Sequence, residues 1–143
     1  MGLMDSIKAG VGVGTAGLEV DIKQRPTQRG QELVALIRVT PGKNKQKMRY
    51  LTAEVNWDGK WSFKNAEGLE IPVEGKAFLA KAHQPGSEDV IVEPGKPLEF
   101  PWSVKIPMDG PLTTAECKYN IYVRADIDDA KDPEFRGTLD IKG

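Results

Sequence analysis

The sequence predicts an all-β fold, a sandwich of two antiparallel sheets, and two observations carry that reading. Three segments in the C-terminal third alternate apolar and polar residues: Leu98, Phe100, Trp102, Val104 and Ile106; then Cys117, Tyr119, Ile121, Val123, Ala125 and Ile127; then Phe135, Gly137, Leu139 and Ile141. A period of two marks half-buried strands. Turn dipeptides also punctuate the chain at Pro41-Gly42, Asp58-Gly59, Pro85-Gly86, Pro94-Gly95 and Asp109-Gly110. Proline presets one dihedral and glycine accepts positive φ, so each pair bends the chain. About eight short strands joined by such turns fold as two sheets over one core.

The elements follow in order. Leu3, Met4 and Ile7 stand at helical spacing, with Asp5 near the start, which predicts a short helix over residues 2–8. Gly10, Gly12, Gly14 and Gly17 end it, so residues 1–17 read as a helix and a glycine-rich lead-in. Leu18, Val20 and Ile22 alternate in a first strand. Leu33, Ala35, Ile37 and Val39 do so in a second, with Val34 and Leu36 on its other face. Leu51, Ala53, Val55 and Trp57 form a third. Residues 76–81 are ambiguous and residues 90–92 form a short strand. With no repeat, linker or low-complexity tract, residues 1–143 read as one domain.

Asp58-Gly59 separates AEVNW from KWSFK and is the favoured centre of a two-residue hairpin loop. In that register Trp61 and Phe63 lie over Asn56 and Glu54, opposite the face of Leu51, Ala53, Val55 and Trp57. Both faces cannot meet one core. Either another element covers Trp61 and Phe63, or the loop is longer than two residues, or the two rings are exposed. In the last case Trp57, Trp61 and Phe63 mark a contact surface for another protein or a second copy.

Composition narrows the function. At 143 residues the chain buries roughly 70% of the surface its unfolded form exposes. Charged residues are 29%, hydrophobic ones 39%, and the net charge is -1. Lysines and arginines are scattered, so no basic patch points to nucleic acid. Cys117 falls on the apolar alternation of its strand, which predicts a buried free thiol and a reducing, cytoplasmic setting. No apolar run reaches the roughly 20 residues that span a bilayer. The start shows no signal-peptide pattern. Met1 to Ser6 fits an acylation start, but no polybasic patch follows, and we read the match as chance.

Three further motifs carry chemistry in other settings. Gly12-Val13-Gly14-Thr15-Ala16-Gly17 matches G-x-G-x-x-G, yet a dinucleotide site needs a strand before it and a helix after it. Here the order is reversed, and the segment reads as a connector. Asp126, Asp128, Asp129, Asp132 and Glu134 cluster near a strand end, and the four aspartates are the metal candidates. Calcium takes six to eight oxygens from such loops. Ala130 and Lys131 break the EF-hand spacing, so turn-capping aspartates are the better reading. His83 has no neighbouring histidine or cysteine, and no nucleophile–base set is legible. The expectation is a protein that is not an enzyme and carries no cofactor.

In two of these stretches the wording resembles the bacterial sporulation-control family Spo-zero-M. The first runs from Val92-Glu93-Pro94-Gly95 through Phe100-Pro101-Trp102-Ser103-Val104-Lys105-Ile106-Pro107 to Pro111-Leu112-Thr113. The second runs from Val123 to Asp132-Pro133 and on to Leu139 and Ile141. Ile7 to Gly14, Leu18 to Ile22 and Pro26 to Gly42 resemble the family more loosely. The resemblance implies an arrestin-like, immunoglobulin-like sandwich. The family usually carries two such lobes in a longer chain, and the likeness spans one. It implies a cytoplasmic, non-catalytic regulator or scaffold that works through protein contacts and possesses no catalytic residues to carry over. A homo-oligomer fits, and nucleic acid or an integral membrane association does not. Two alternatives stand beside it: a C2-like cation or lipid module using the acidic cluster, and a small hydrolase or ligand carrier with a cleft between the sheets.

Overall fold

The computed structural model describes residues 6–9 and 15–143, of residues 6–9 and of Trp61 the backbone alone. Nine strands run through the described residues: β1 Ser6–Ala9, β2 Gly17–Gln24, β3 Glu32–Thr40, β4 Gln46–Lys64, β5 Glu70–His83, β6 Val90–Val92, β7 Leu98–Lys105, β8 Cys117–Ile127 and β9 Glu134–Leu139. They form two antiparallel sheets. One has the order β1-β2-β3-β7, and the other β5-β4-β8-β9 with β6 also on β4.

The alternation in the sequence becomes the core. Leu18, Val20, Leu33, Ile37, Val39, Phe100 and Trp102 line the inner face of the first sheet. Leu51, Ala53, Val55, Tyr119, Ile121, Val123, Ala125 and Phe135 line that of the second, and all belong to one buried cluster. Outside the first sheet, Glu19, Arg38 and Glu99 lie side by side in register. Arg38 bridges both carboxylates at 3.1 and 2.5 Å.

Bulges set which residues face out. Arg49 is an extra residue in β4, because Met48 pairs with Ile127 and Tyr50 with Asp126. Met48 and Leu51 therefore both point inward, and Tyr50 turns to the outer face. Leu79 is likewise extra in β5, since Phe78 pairs with Asn56 and Ala80 with Val55. Between β5 and β6, the buried Ser87 hydroxyl accepts from Leu51 N–H at 3.1 Å and donates to the Gln84 carbonyl at 2.6 Å. The edge of β4 is satisfied where no strand pairs with it.

Three readings of the sequence are corrected. Residues 6–9 form strand β1, not part of a helix, with Ile7 opposite Val20. A short helix closes few hydrogen bonds for its nucleation cost, whereas the open edge of β2 offers a ready ladder. Residues 2–5, and with them the acylation match, lie outside the described residues, as do residues 10–14 of the glycine-rich motif. That motif joins β1 to β2, two antiparallel strands, so no helix follows it.

Asp58-Gly59 is not a turn. β4 runs straight through it, with Asp58 opposite Lys76 and Lys118 and Gly59 opposite Gly75 and Cys117. The turn comes later, at Asn65, whose side-chain Oδ1 accepts from Glu67 N–H at 2.9 Å and Leu69 N–H at 3.0 Å. Gly68 there takes φ of 81°, the left-handed region open to glycine. The result is a long β4–β5 hairpin whose tip runs past the end of β8. Cys117, expected to be buried, is half-buried at the very start of β8, opposite Gly59.

Candidate functional site

The outer face of the five-stranded sheet gathers polar and aromatic side chains in rows fixed by strand register. Phe78, Asn56, Asn120 and Thr138 make one row. Lys81, Glu54, Tyr122 and Arg136 make the next. His83, Thr52, Arg124 and Glu134 make a third. Between them lies a groove of about 610 Å³ over the first two rows, and beside it a second of about 520 Å³ over the last two. Glu54, Lys81 and Tyr122 line both, so the two are continuous.

The floor is polar and buried. Glu54 is 6% exposed and Asn56 3%. Asn56 donates to Glu54 Oε2 at 2.8 Å, and Asn120 donates to Asn56 Oδ1 at 3.1 Å. The chain of amides holds the Glu54 carboxyl in one orientation.

The walls are rings capped by cations. Lys76 and Lys81 lie over the Phe78 ring, 5.4 and 4.8 Å from its centre. Arg136 lies 4.5 Å from the centre of Tyr122, and Arg124 6.0 Å from that of Tyr50, which stacks on His83 at 4.2 Å. The Tyr122 hydroxyl donates to Glu134 Oε2 at 2.7 Å. That bond holds the Glu134 carboxyl below its ordinary range, and burial together with the same bond pushes the Tyr122 hydroxyl up.

The metal candidates sit in the turn between β8 and β9. Asp132 Oδ1 accepts from Ile127 N–H at 2.9 Å, and Oδ2 from Arg124 at 3.0 Å. Asp128 pairs with Arg49 at 2.5 Å, and Asp129 takes φ of 57° to make the turn. Asp126 lies opposite Tyr50. Among the described residues no three His, Cys, Asp or Glu side chains are grouped to hold a metal ion.

The interface candidates separate. Trp57 is partly buried and packs against the core. Trp61 is opposite Val73 in the β4–β5 arm, and Phe63, opposite Ile71, is 51% exposed. Leu69 at the tip and Phe78 on β5, neither of them singled out by sequence pattern, are 58% and 50% exposed.

The Spo0M family, described as SpoOM protein, matches residues 4–142. The chain belongs to the Spo0M family. Among solved structures, Spo0M, the sporulation control protein from Bacillus subtilis, superposes with a TM-score of 0.71 at 17% identity, covering 92% of this chain and 51% of that one. The chain thus spans about half the length of that solved Spo0M protein. A family 123 glycoside hydrolase from Clostridium perfringens, studied for glycolipid glycan hydrolysis, superposes with a TM-score of 0.51 at 14% identity, over 83% of this chain and 22% of the enzyme. At such identities both likenesses show the sandwich fold. No curated protein matches this chain. No described helix is long and apolar enough to cross a membrane.

Proposed function

We propose that this Spo0M-family chain is one arrestin-like lobe of a cytoplasmic, non-catalytic regulator that works by binding other proteins. The observation that carries this is the β4–β5 hairpin. Phe63, Leu69 and Phe78 are each about half exposed or more, and all three belong to that hairpin or its turn. Large apolar side chains left in water, Phe63 and Leu69 of them on the arm beyond β8, cost free energy that a partner recovers by covering them.

The experiment is partner co-purification from the source cell with the parent and with Phe63→Ser/Leu69→Ser. The double variant keeps its melting temperature, because neither side chain is in the core, and loses the proteins the parent retains. A variant that folds and keeps the same set overturns the assignment of the hairpin.

A further inference from the structure

The β4–β5 arm has two edges, and they are not alike. Beyond Gly59 no described strand pairs with β4 on the side away from β5. Lys60 N–H points to that side, donating to the Glu116 carbonyl at 3.0 Å. Backbone groups alternate in direction along an antiparallel strand, so those of Ser62 and Lys64 point there too. β8 does not reach them. It starts at Cys117, and a turn just before it, with Thr114 N–H donating to the Cys117 carbonyl at 2.9 Å, leads the backbone away. A recess of about 530 Å³ is left in line with β8, lined by Lys60, Ser62, Thr114, Glu116 and Cys117.

The opposite edge is blunted. By the same alternation Glu70, Pro72 and Glu74, which stand opposite Lys64, Ser62 and Lys60, turn their backbone outward from β5. Pro72 has no N–H to give there. The open edge also borders apolar surface. Phe63 continues the face of Leu51, Ala53, Val55 and Trp57 along β4, is half exposed, and has Ile71 opposite it. A strand laid against Ser62 and Lys64 therefore completes backbone bonds and covers Phe63 with alternate side chains. The chain's own outer strands suit this poorly: β5 and β7 carry Pro72 and Pro101, which interrupt any ladder those strands would add.

We propose that the β4 edge at Ser62 and Lys64 binds an extended segment of a partner protein as an added strand in line with β8, its apolar side chains at alternate positions covering Phe63. This rests on the protein-binding reading above and names how the hairpin holds its partner.

The test is selection of a displayed random octapeptide library on the parent chain, with the enriched peptides then measured on Ser62→Pro and Ser62→Ala. The enriched peptides alternate apolar and polar residues. Their affinity falls about tenfold or more in Ser62→Pro, which removes the outward N–H and puts a ring in its place. It stays within about twofold in Ser62→Ala, which keeps that N–H. The Ser62 N–H faces away from β5, so the proline leaves the β4–β5 ladder bonded. Amide exchange at Ser62 and Lys64 of the parent slows when peptide binds, and this measurement stands even if the proline variant loses its arm. Enriched peptides without alternation, no enrichment, equal binding by Ser62→Pro, or unslowed exchange overturns the proposal. Self-association of the parent that Ser62→Pro abolishes gives the edge to a second copy and overturns it too. The wider reading fails separately, when the Phe63→Ser/Leu69→Ser variant keeps its partners.

Discussion

The indole of Trp57 occupies the space that a side chain at Gly59 would need: a β-carbon there would lie 2.8 Å from the ring and 2.9 Å from Cys117 Sγ. This contact explains why an Asp-Gly pair sits in the middle of a strand. The glycine makes room for a ring two residues away on the same face.

Gly59→Ala is accordingly destabilising, by about 1 to 3 kcal/mol from overpacking, although alanine in a strand otherwise improves on glycine. Thermal melting checks this. In a Trp57→Ala background the same substitution costs less, and a double-mutant cycle reads the difference as coupling. Equal costs in both backgrounds would remove Trp57 from the explanation.

Val123 is fully buried, between Ala53 and Phe135 in register. Val123→Asp places an unpaired carboxyl in the core and costs several kcal/mol, a large part of a typical domain's stability of about 5–15 kcal/mol. A variant that melts like the parent would contradict the face assignment of β8.

Tyr119 is buried and donates to the Pro111 carbonyl at 2.5 Å. Burial raises its pKa above the ordinary tyrosine value of 10.0. The folded state therefore keeps the proton longer than the unfolded one, so its contribution is complete below pH about 10 and is lost as pH rises through the higher folded value. Tyr122 shifts the same way. Chemical denaturation across this range should show stability falling with alkalinity, and Tyr119→Phe should flatten part of the fall while costing about 1 kcal/mol at neutral pH for the lost hydrogen bond.

Asp132 ties Ile127 N–H and Arg124 together across the β8–β9 turn. Asp132→Ala loses both contacts and costs about 1 to 2 kcal/mol. Millimolar calcium should leave the parent melting temperature unchanged. A calcium-dependent rise abolished by Asp128→Asn would make the cluster a cation site, since a ligand that binds only the folded state stabilises it.

Periodicity made most of the fold legible. Every residue that alternates inward on β7 and β8 is buried, apart from the first of each strand, Leu98 and Cys117, which are half-buried. Local signals failed where tertiary structure outweighed them. Ile7 has helical spacing but joins a sheet edge, and Asp58-Gly59 has turn chemistry but serves packing. The groove was not legible, because Glu54, Lys81, Tyr122 and Arg136 meet only through the register of four strands and the bulge at Leu79. Glu54 and Asn56 could be read as facing away from Val55, yet nothing in the pattern shows that they are buried.

Photo-crosslinking tests the central claim most directly. A photoreactive residue is placed at Phe63 or Leu69 on the hairpin, and as a control at exposed Lys23 on the other sheet. The account predicts discrete protein adducts from the hairpin positions and none from position 23. Adducts from position 23 alone, or none from the hairpin in cells where the protein is active, would contradict it.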